Sequence, residues 1–325
     1  MMSILLTGGL GYIGSHIAKL YKKDDLIVID DMSNSNLDYQ KIFPKIKVYI
    51  EKINKNSLKK IFRENDIKQV IHLAGSKSVS ESLANPLKYY KNNFLVSMDL
   101  LESMDKYGIK NLIFSSSATV YGDSYHSPLK ENLKTNPVNP YGNTKSDIEK
   151  LIIDYSLSNM SFSSIILRYF NPIGAHKSGF LSDNPKGEPQ NLMPIILEAV
   201  NGNELKVFGK NYPTKDGTCI RDYIHVLDLA ECHILCLKYL KKNKGYEIFN
   251  VGLGRGLSVL NLIKTFETSN KIKLNYKFSK RRKGDVAISF ACNKKIKSKL
   301  GWNPKYTYKD MCLDSWNTRK STLRF

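Results

Sequence analysis

Over the first half of the chain, short runs of apolar, often β-branched residues alternate with stretches in which apolar residues recur every three or four positions. The runs predict strands and the longer stretches predict helices. The predicted strands are 3–7, 26–30, 48–50, 70–73, 112–115 and 164–168, and the predicted helices are 12–22, 57–65, 92–107 and 141–156. This alternation indicates βαβ units and therefore a doubly wound parallel sheet of the α/β class.

The pattern changes after residue 171, where proline and glycine crowd one irregular stretch and shorter mixed elements follow. We therefore expect a smaller, mixed α/β C-terminal domain, and we divide the chain into domains 1–170 and 171–325. A strand-like segment near 220–226 could return to the first domain.

A glycine-rich loop, residues 7–14 (TGGLGYIG), follows the first predicted strand and opens the first helix. Gly8 can form the tight turn, Gly11 lets the backbone approach a pyrophosphate, and Gly14 permits close packing of the helix. The helix N-terminus at Tyr12 and Ile13 offers N–H groups and the positive end of its dipole to phosphates. This order predicts a dinucleotide site on a Rossmann fold; the alternative is a structural turn.

Asp30 ends the second predicted strand, where a carboxylate can hydrogen-bond the ribose hydroxyls of an adenosine. The same carboxylate would repel a 2′-phosphate, so NAD is favoured over NADP as the cofactor.

Tyr141 and Lys145 are four residues apart and therefore share one helix face, which Asn139 and Pro140 open as N-cap and first residue. An ammonium near a phenol favours the phenolate, so Lys145 should lower the pKa of Tyr141 from its usual value of about 10. Tyr141 could then act as a general base, while a serine hydroxyl from the strand end at residues 115–117 could hydrogen-bond the same substrate oxygen. The alternative is an ordinary amphipathic helix.

The chain of 325 residues has 50 Lys and Arg against 30 Asp and Glu, a net charge of +20. This excess suggests a polyanionic partner. However, we find no zinc-finger spacing, recognition-module signature or Arg-rich stripe with interleaved aromatic residues. We expect no nucleic-acid partner, and only modest electrostatic steering of small anionic substrates.

No apolar run approaches the roughly 18 residues of a membrane span, and the N-terminal apolar run is too short for a signal sequence. The five cysteines, at 219, 232, 236, 292 and 312, are scattered and suggest neither a disulfide framework nor a metal site. We expect a cytoplasmic protein with no membrane partner and no metal.

Further motifs extend over nearly the whole chain. They are 72–75 (HLAG), 86–93 (PLKYYKNN), 114–122 (FSSSATVYG), 140–145 (PYGNTK), 167–172 (LRYFNP), 191–194 (NLMP), 212–218 (YPTKDGT), 221–226 (RDYIHV) and 281–285 (RRKGD). With the glycine loop, they make the chain resemble the extended short-chain dehydrogenase/reductase superfamily and, within it, the UDP-glucose (UDP-galactose) 4-epimerase family.

The resemblance implies an isomerase with tightly held NAD that is regenerated in each turnover. Tyr141, helped by Ser117, would remove the proton from the sugar 4-hydroxyl while hydride passes from C4 to NAD. The 4-keto sugar would then turn over in the site and take the hydride back on its other face. Lys145 would contact the nicotinamide ribose. The resemblance also implies a homodimer, formed through helices that include 92–107 and 141–156.

The resemblance assigns further residues to each ligand. The NAD contacts are Asp30, Asn34, Lys77, Asn92 and Tyr169; the UDP-sugar contacts are Asn171, Asn191, Leu192, Phe208, Arg221, Arg282 and Asp285. An arginine fork suits a diphosphate better than a lysine does. The alternative for Arg282 is a solvated basic turn.

The chain departs from the family pattern at two places. Where the family has an acidic residue near the adenine, this chain has Glu51-Lys52-Ile53, so adenine binding would depend on the Ile53 backbone or on Glu51. At Ser289 the family often has a bulky tyrosine that crowds the sugar 2-substituent. A serine leaves room for an acetamido group, so we expect activity on UDP-GlcNAc and UDP-GalNAc as well; the alternative is that neighbouring loops fill the space.

Other activities remain open on the sequence. Relatives that are 4,6-dehydratases place Thr-Asp-Glu at the strand end, whereas Ser117-Ala118-Thr119 has no carboxylate. A UDP-glucuronate epimerase or decarboxylase would need a cationic partner near the sugar, which we cannot identify. A non-catalytic NAD-binding regulator would be expected to lose Tyr141 or Lys145, and both are present.

Overall fold

The computed structural model describes residues 3–21, 25–123, 126–282 and 284–322. The strands are β1 (Ser3–Thr7), β2 (Leu26–Asp30), β3 (Lys47–Ile50), β4 (Ile67–His72), β5 (Asn111–Ser117), β6 (Ser163–Tyr169), β7 (Asn171–Ile173), β8 (Leu205–Phe208), β9 (Ile220–Arg221), β10 (Tyr223–His225), β11 (Gly245–Val251), β12 (Leu257–Ser258), β13 (Tyr276–Ser279) and β14 (Ile288–Ser289).

The helices are α1 (Tyr12–Leu20), α2 (Tyr39–Ile42), α3 (Lys55–Glu64), α4 (Val79–Ala84), α5 (Pro86–Tyr89), α6 (Val96–Lys106), α7 (Pro140–Ser158), α8 (Leu192–Ala199), α9 (Val226–Leu240), α10 (Val259–Asn270), α11 (Lys294–Leu300) and α12 (Tyr308–Thr322). A π-helical segment, Tyr90–Leu95, joins α5 to α6, and a 3₁₀ turn, Ala118–Tyr121, follows β5.

The main sheet has seven strands in the order β11-β6-β5-β4-β1-β2-β3. Strand β1 pairs in parallel with both β2 and β4, and the order reverses there. This confirms the doubly wound Rossmann arrangement, in which ligands bind beyond the carboxyl ends of the strands at the reversal. The glycine loop follows β1 at this point.

The central strands β1, β2, β5 and β6 are buried along nearly their whole length, as expected where helices cover both faces of a sheet. Helix α3 shows how the sequence achieves this, since Leu58, Ile61 and Phe62 are buried at helical spacing. The helix starts at Asn54, whose side chain accepts from the backbone of Ser57 in a capping box.

The chain forms two compact units, each built from three segments. The first contains Met1–Gly122, Lys134–Arg168 and Ala230–Phe249, and the second contains Asp123–Leu133, Tyr169–Leu229 and Asn250–Phe325. The second unit has its own core, which includes Ile196, Leu205, Phe266 and Met311. Its small sheets are β12-β9-β14, β13-β8 and β10-β7.

This division differs from the predicted boundary between residues 170 and 171. The segment that returns to the first unit is Ala230–Phe249, which supplies most of β11, whereas residues 220–226 stay in the second unit. The predicted strand at 220–226 is two strands, β9 and β10, that pair with different sheets on either side of Asp222.

The predicted helices have the expected type, with two differences. The segment predicted as one helix over 92–107 begins in the π-helical segment and continues as α6. Helix α1 ends at Leu20, and Lys22, where we placed its end, lies outside the described residues.

Within the described residues, no helix is both long and apolar enough to cross a membrane. The same part of the chain contains no cluster of potential metal ligands. Cys232 and Cys236 are buried free thiols on α9.

Candidate active site

The glycine loop is shaped by contacts that allow no side chain. Gly8 has a φ of +67°, and a Cβ there would lie 2.8 Å from the backbone nitrogen of Ala74. A Cβ on Gly14 would lie 2.6 Å from the Cα of Gly9, so this glycine permits the close approach of α1 to the loop. By contrast, a Cβ on Gly11 would meet only the Gly8 carbonyl oxygen, at an ordinary 3.4 Å.

Gly11 is the N-cap residue of α1; no side chain caps the helix, and its first turn contains no acidic residue. Its N-terminus, which includes Tyr12 and Ile13, therefore presents backbone N–H groups and a positive dipole end. The structure therefore places Gly8 and Gly14 where a Cβ would clash, and it leaves space beside Gly11 at this helix end.

Asp30 lies at the end of β2, beside the same loop. Its Oδ2 accepts from the Leu10 backbone N–H at 2.9 Å and its Oδ1 from that of Met32 at 2.8 Å. Burial raises the pKa of Asp30, and these backbone hydrogen bonds oppose the rise. The carboxylate is therefore held in one orientation at the strand end.

Beyond β4, Asn92 and Asn93 both contact Ser76. Asn92 is exposed and donates to the Ser76 hydroxyl at 3.2 Å. Asn93, which sequence reasoning missed, is buried and accepts from the Ser76 backbone N–H at 2.7 Å. It also donates to Thr144 on α7 at 3.1 Å, so it ties the loop after β4 to the helix that carries Tyr141.

Helix α7 is positioned as the sequence predicted, with Asn139 as its N-cap accepting from the Gly142 N–H at 2.8 Å. The Tyr141 phenol hydrogen-bonds Ser117 at the end of β5. One turn later, the Lys145 Nζ donates to the Ser115 carbonyl at 2.6 Å. The structure therefore brings together the three predicted catalytic side chains, Ser117, Tyr141 and Lys145.

The pKa of Tyr141 differs from our expectation. Burial raises it above the usual value, and the hydrogen bond from Ser117 only opposes this rise. In this structure Lys145 does not lower the pKa of Tyr141, and its ammonium donates to the Ser115 carbonyl. Burial lowers the pKa of Lys145 to about 8, and the nearby negative charge of Glu149 opposes this lowering.

Glu149, which the sequence reading also missed, lies one turn beyond Lys145 on α7. It is buried and forms an ion pair with Arg168 of β6, with 2.6 Å between Oε2 and Nη2. The spacing of Tyr141, Lys145 and Glu149 along one helix face was the available signal, since each is four residues from the next.

The other predicted NAD contacts in this unit lie on the surface or at its edge. Asn34 and Lys77 are exposed, and Ile53 is half-buried against the core. At the unusual adenine segment, the Glu51 carboxylate is bound to Lys60 at 2.7 Å. Of the two groups that could bind the adenine, the Ile53 backbone is therefore more available than the Glu51 carboxylate.

In the second unit, Arg221, Asp285 and Ser289 lie together. The Arg221 guanidinium is 3.5 Å from the Asp285 carboxylate, and Ser289 is the β14 residue paired with Arg221 on β9. Asp222 fixes this region, because its buried carboxylate accepts the backbone N–H groups of residues 253, 254 and 291. Burial raises the pKa of Asp222 to about 6, against these hydrogen bonds.

The remaining predicted residues of this unit form smaller groups. The Arg282 guanidinium stacks 4.0 Å from the centroid of the Phe208 ring, and Asn191 donates to Asp183 at 2.7 Å. Leu192 packs against the core of the unit. Asn171 is exposed beside β10, and Tyr169 is buried at the end of β6.

Comparison with known proteins agrees with these features. The model of the NAD dependent epimerase/dehydratase family matches residues 4–252. This chain belongs to that family. The match confirms the resemblance that the motifs indicated. Among family members, the UDP-glucose 4-epimerase of Bacillus subtilis is 43% identical over 99% of this chain and 98% of its own length. That of Dictyostelium discoideum is 42% identical over 96% and 94%.

Solved structures of 4-epimerases also superpose closely on this chain. A UDP-glucose 4-epimerase from Stenotrophomonas maltophila, with bound NAD and formylated UDP-arabinopyranose, superposes with a TM-score of 0.95 at 38% identity, covering 100% and 99% of the two chains. A UDP-Glc/GlcNAc 4-epimerase from Campylobacter jejuni does so with a TM-score of 0.84 at 34% identity, covering 99% and 100%.

Proposed function

We propose that the protein is an NAD-dependent isomerase that interconverts UDP-galactose and UDP-glucose by 4-epimerisation, and that it also acts on UDP-GalNAc and UDP-GlcNAc. The observation that carries the proposal is the hydrogen bond of Tyr141 to Ser117, with Lys145 one turn away, at the carboxyl end of β5. The relatives named above, with 42% and 43% identity, support the substrate class.

The first unit fits NAD. The N-terminus of α1 suits the pyrophosphate, because Gly11 leaves the approach open and no acidic side chain opposes it. Asp30 suits the adenosine ribose, with Ile53 at the adenine, Asn34, Lys77 and Asn92 at the surrounding edge, and Lys145 at the nicotinamide ribose. When bound, NAD would accept a hydride from the sugar C4 and return it to the opposite face.

Tyr141 would exchange a proton with the sugar 4-hydroxyl, and Ser117 would hold the same oxygen by a hydrogen bond. Since burial raises the pKa of the phenol in the protein alone, the phenolate needs nearby positive charge. The Lys145 ammonium would supply part of it. When hydride leaves the sugar, Tyr141 holds the proton at its phenolic oxygen and later gives it back to the 4-keto oxygen.

The second unit would hold the UDP-sugar. Arg221 and Arg282 provide guanidinium groups for the diphosphate, and Asp285 orients the first of them. Phe208 provides an aromatic face, and Asn171, Asn191 and Leu192 complete the proposed set for the UDP-sugar, whereas Tyr169 would lie beside the nicotinamide of NAD. These assignments rest on the family motifs.

Ser289 would set the breadth of substrate. It is half-buried beside Arg221, and its hydroxyl side chain is much smaller than a tyrosine. The Campylobacter jejuni relative, described as a UDP-Glc/GlcNAc 4-epimerase, supports the wider range. We therefore expect the acetamido group to fit.

NMR of the purified protein with each of the four UDP-sugars would test the proposal. Conversion of UDP-galactose to a mixture with UDP-glucose, without added NAD if the cofactor co-purifies, is the expected result. Conversion of UDP-galactose with no conversion of UDP-GlcNAc would refute the wider range alone. No conversion of any UDP-sugar by NAD-loaded protein would refute the function.

We further propose that the protein works in the cytoplasm as a homodimer. The five cysteines are free thiols, which is typical of a reducing compartment. The helices from which we expect a dimer expose large apolar side chains, including Leu95 and, at 64%, Leu157. Light scattering on a sizing column would test this, since a mass near 37 kDa would exclude the dimer and one near twice that is expected.

A further inference from the structure

Three consecutive residues at the end of β5 are each hydrogen-bonded to α7, at positions one helical turn apart. The two contacts made by Tyr141 and Lys145 belong to the proposed catalytic group. In the third, the Ser116 hydroxyl donates to Oε1 of Glu149, and this contact lies outside the proposed catalytic group. The same face of α7 therefore carries a third anchored group directly beside Lys145.

Glu149 is part of a buried charge pair. Its side chain and that of Arg168 are only 3% and 4% exposed, and the guanidinium donates from Nε and Nη2 to both carboxylate oxygens. The Arg168 Nη1 also donates to the Tyr121 hydroxyl at 3.0 Å. Burying such a pair costs several kcal/mol per ion before the attraction is gained, and apolar residues often serve stability as well. Stability alone therefore does not explain the pair.

We propose that Glu149 is a positioning residue for the reaction: its negative charge keeps Lys145 in the ammonium form, and its bond to Ser116 fixes the end of β5 against α7. The inference rests on the proposed function, in which that ammonium supports the Tyr141 phenolate and contacts the cofactor ribose.

Among the described groups around Lys145, Glu149 is the one that favours its ammonium form. From β5, the Phe114 ring lies 4.8 Å from Nζ and the Ser115 carbonyl accepts from it. From β4, buried His72 has its pKa lowered to about 3 and is therefore neutral. On α7 itself, Tyr141 is a neutral phenol with a raised pKa, and Glu149 opposes the effect of burial on Lys145. From β6, the positive charge of Arg168 lies on the Glu149 carboxylate.

Burial already lowers the pKa of Lys145 to about 8 with Glu149 in place. Loss of the carboxylate should therefore lower the pKa of Lys145 further, because burial would then act unopposed by Glu149. The ammonium would then be lost within the working pH range.

The test compares Glu149→Gln, which keeps the shape and removes the charge, with Glu149→Asp, which keeps the charge and shortens the side chain. We expect E149Q to lose about tenfold in kcat at pH 8.5 but less than about threefold at pH 6.5, with KM for UDP-galactose nearly unchanged. E149D should keep the alkaline limb of the wild-type profile. Asp154→Asn, which removes an exposed carboxylate from the same helix, is the matched control and should leave the profile unchanged.

A packing role predicts the reverse order, with E149Q close to wild type and E149D impaired at every pH, and this result would overturn the proposal. If E149Q does not fold, E149D keeps the proposal testable, because a displaced alkaline limb in this variant, which keeps the charge, would overturn it. Ser116→Ala keeps both charges, so it should lower kcat without moving the alkaline limb; a displaced limb in S116A would count against the electrostatic assignment.

A second measurement does not depend on turnover. In protein labelled with ¹³Cε-lysine, the Lys145 signal, assigned by its absence in Lys145→Met, should titrate at a lower pH in E149Q than in wild type. An unchanged titration would overturn the proposal even if the variant is less active. If wild-type protein converted no UDP-sugar, the proposed function would fail, while this titration would still report whether Glu149 sets the charge of Lys145.

Discussion

Gly11 and Gly14 offer a matched pair of substitutions that separates folding from cofactor binding. In Gly14→Ala the new Cβ would lie 2.6 Å from the Gly9 Cα, about 1 Å closer than ordinary contact, and both sides of the contact are backbone. Such overpacking costs about 1–3 kcal/mol, because helix and loop must move apart. In Gly11→Ala the Cβ meets one oxygen at 3.4 Å, and the φ of −72° suits alanine. The cost there should stay within about 1 kcal/mol, since glycine is only a modest N-cap.

The effect on NAD should be large in both variants. The Gly11 Cβ would occupy the path by which a pyrophosphate approaches the N-terminus of α1, so we expect at least about a tenfold loss of affinity, or 1.4 kcal/mol. Thermal unfolding of cofactor-free protein and titration with NAD measure the two effects separately. If G11A binds NAD like wild type, the phosphate does not lie at this helix end. If G14A is as stable as wild type, the close packing of α1 on the loop does not exclude a Cβ at this position.

Three other changes test the remaining parts of the site. Tyr141→Phe should lower kcat by about 10²–10⁴-fold while NAD stays bound, measured by the same turnover assay and by absorbance of the retained cofactor; near-normal kcat would remove Tyr141 from proton transfer. Ser289→Tyr should abolish conversion of UDP-GlcNAc and leave that of UDP-galactose within about threefold, and equal loss of both would show that the side chain does not face the 2-substituent. Asp222→Asn should be less stable than wild type, because an amide cannot accept from three backbone N–H groups. The pKa of Asp222 is raised to about 6 in the folded protein, so its stabilising contribution is complete below about pH 4 and is lost as the pH rises through 6. The difference in unfolding free energy between wild type and D222N should therefore narrow by about 3 kcal/mol over that range. A difference that does not change with pH in thermal unfolding would contradict this.

The sequence was most informative where a local pattern determines local geometry. Strand β2 has the predicted bounds, and the N-cap at Asn139 places Tyr141 as expected. The glycine loop was also readable, since Gly8 and Gly14 lie where a strand–turn–helix unit leaves no room for a Cβ. These features need no information from distant parts of the chain.

Features that depend on distant contacts were not readable. The π-helical segment Tyr90–Leu95 has the composition of an ordinary helix, and only its tertiary surroundings select the wider turn. Glu149 is one of many helical glutamates in sequence, and its role depends on burial against Arg168 of another strand. The raised pKa of Tyr141 had the same cause, because burial cannot be judged from the spacing of Tyr141 and Lys145.

The division of the chain has a consequence for how the protein is made. Because the first unit includes Ala230–Phe249, its sheet cannot be completed when the ribosome has synthesised only the first 170 residues. The edge of strand β6 that pairs with β11 would stay unpaired until β11 is synthesised, about 80 residues later. During that interval the nascent chain offers an unpaired strand to other chains, which is a recognised route to aggregation. A fragment cut after residue 170 would keep that open edge permanently, so the first unit should be obtained only from chains that extend beyond β11.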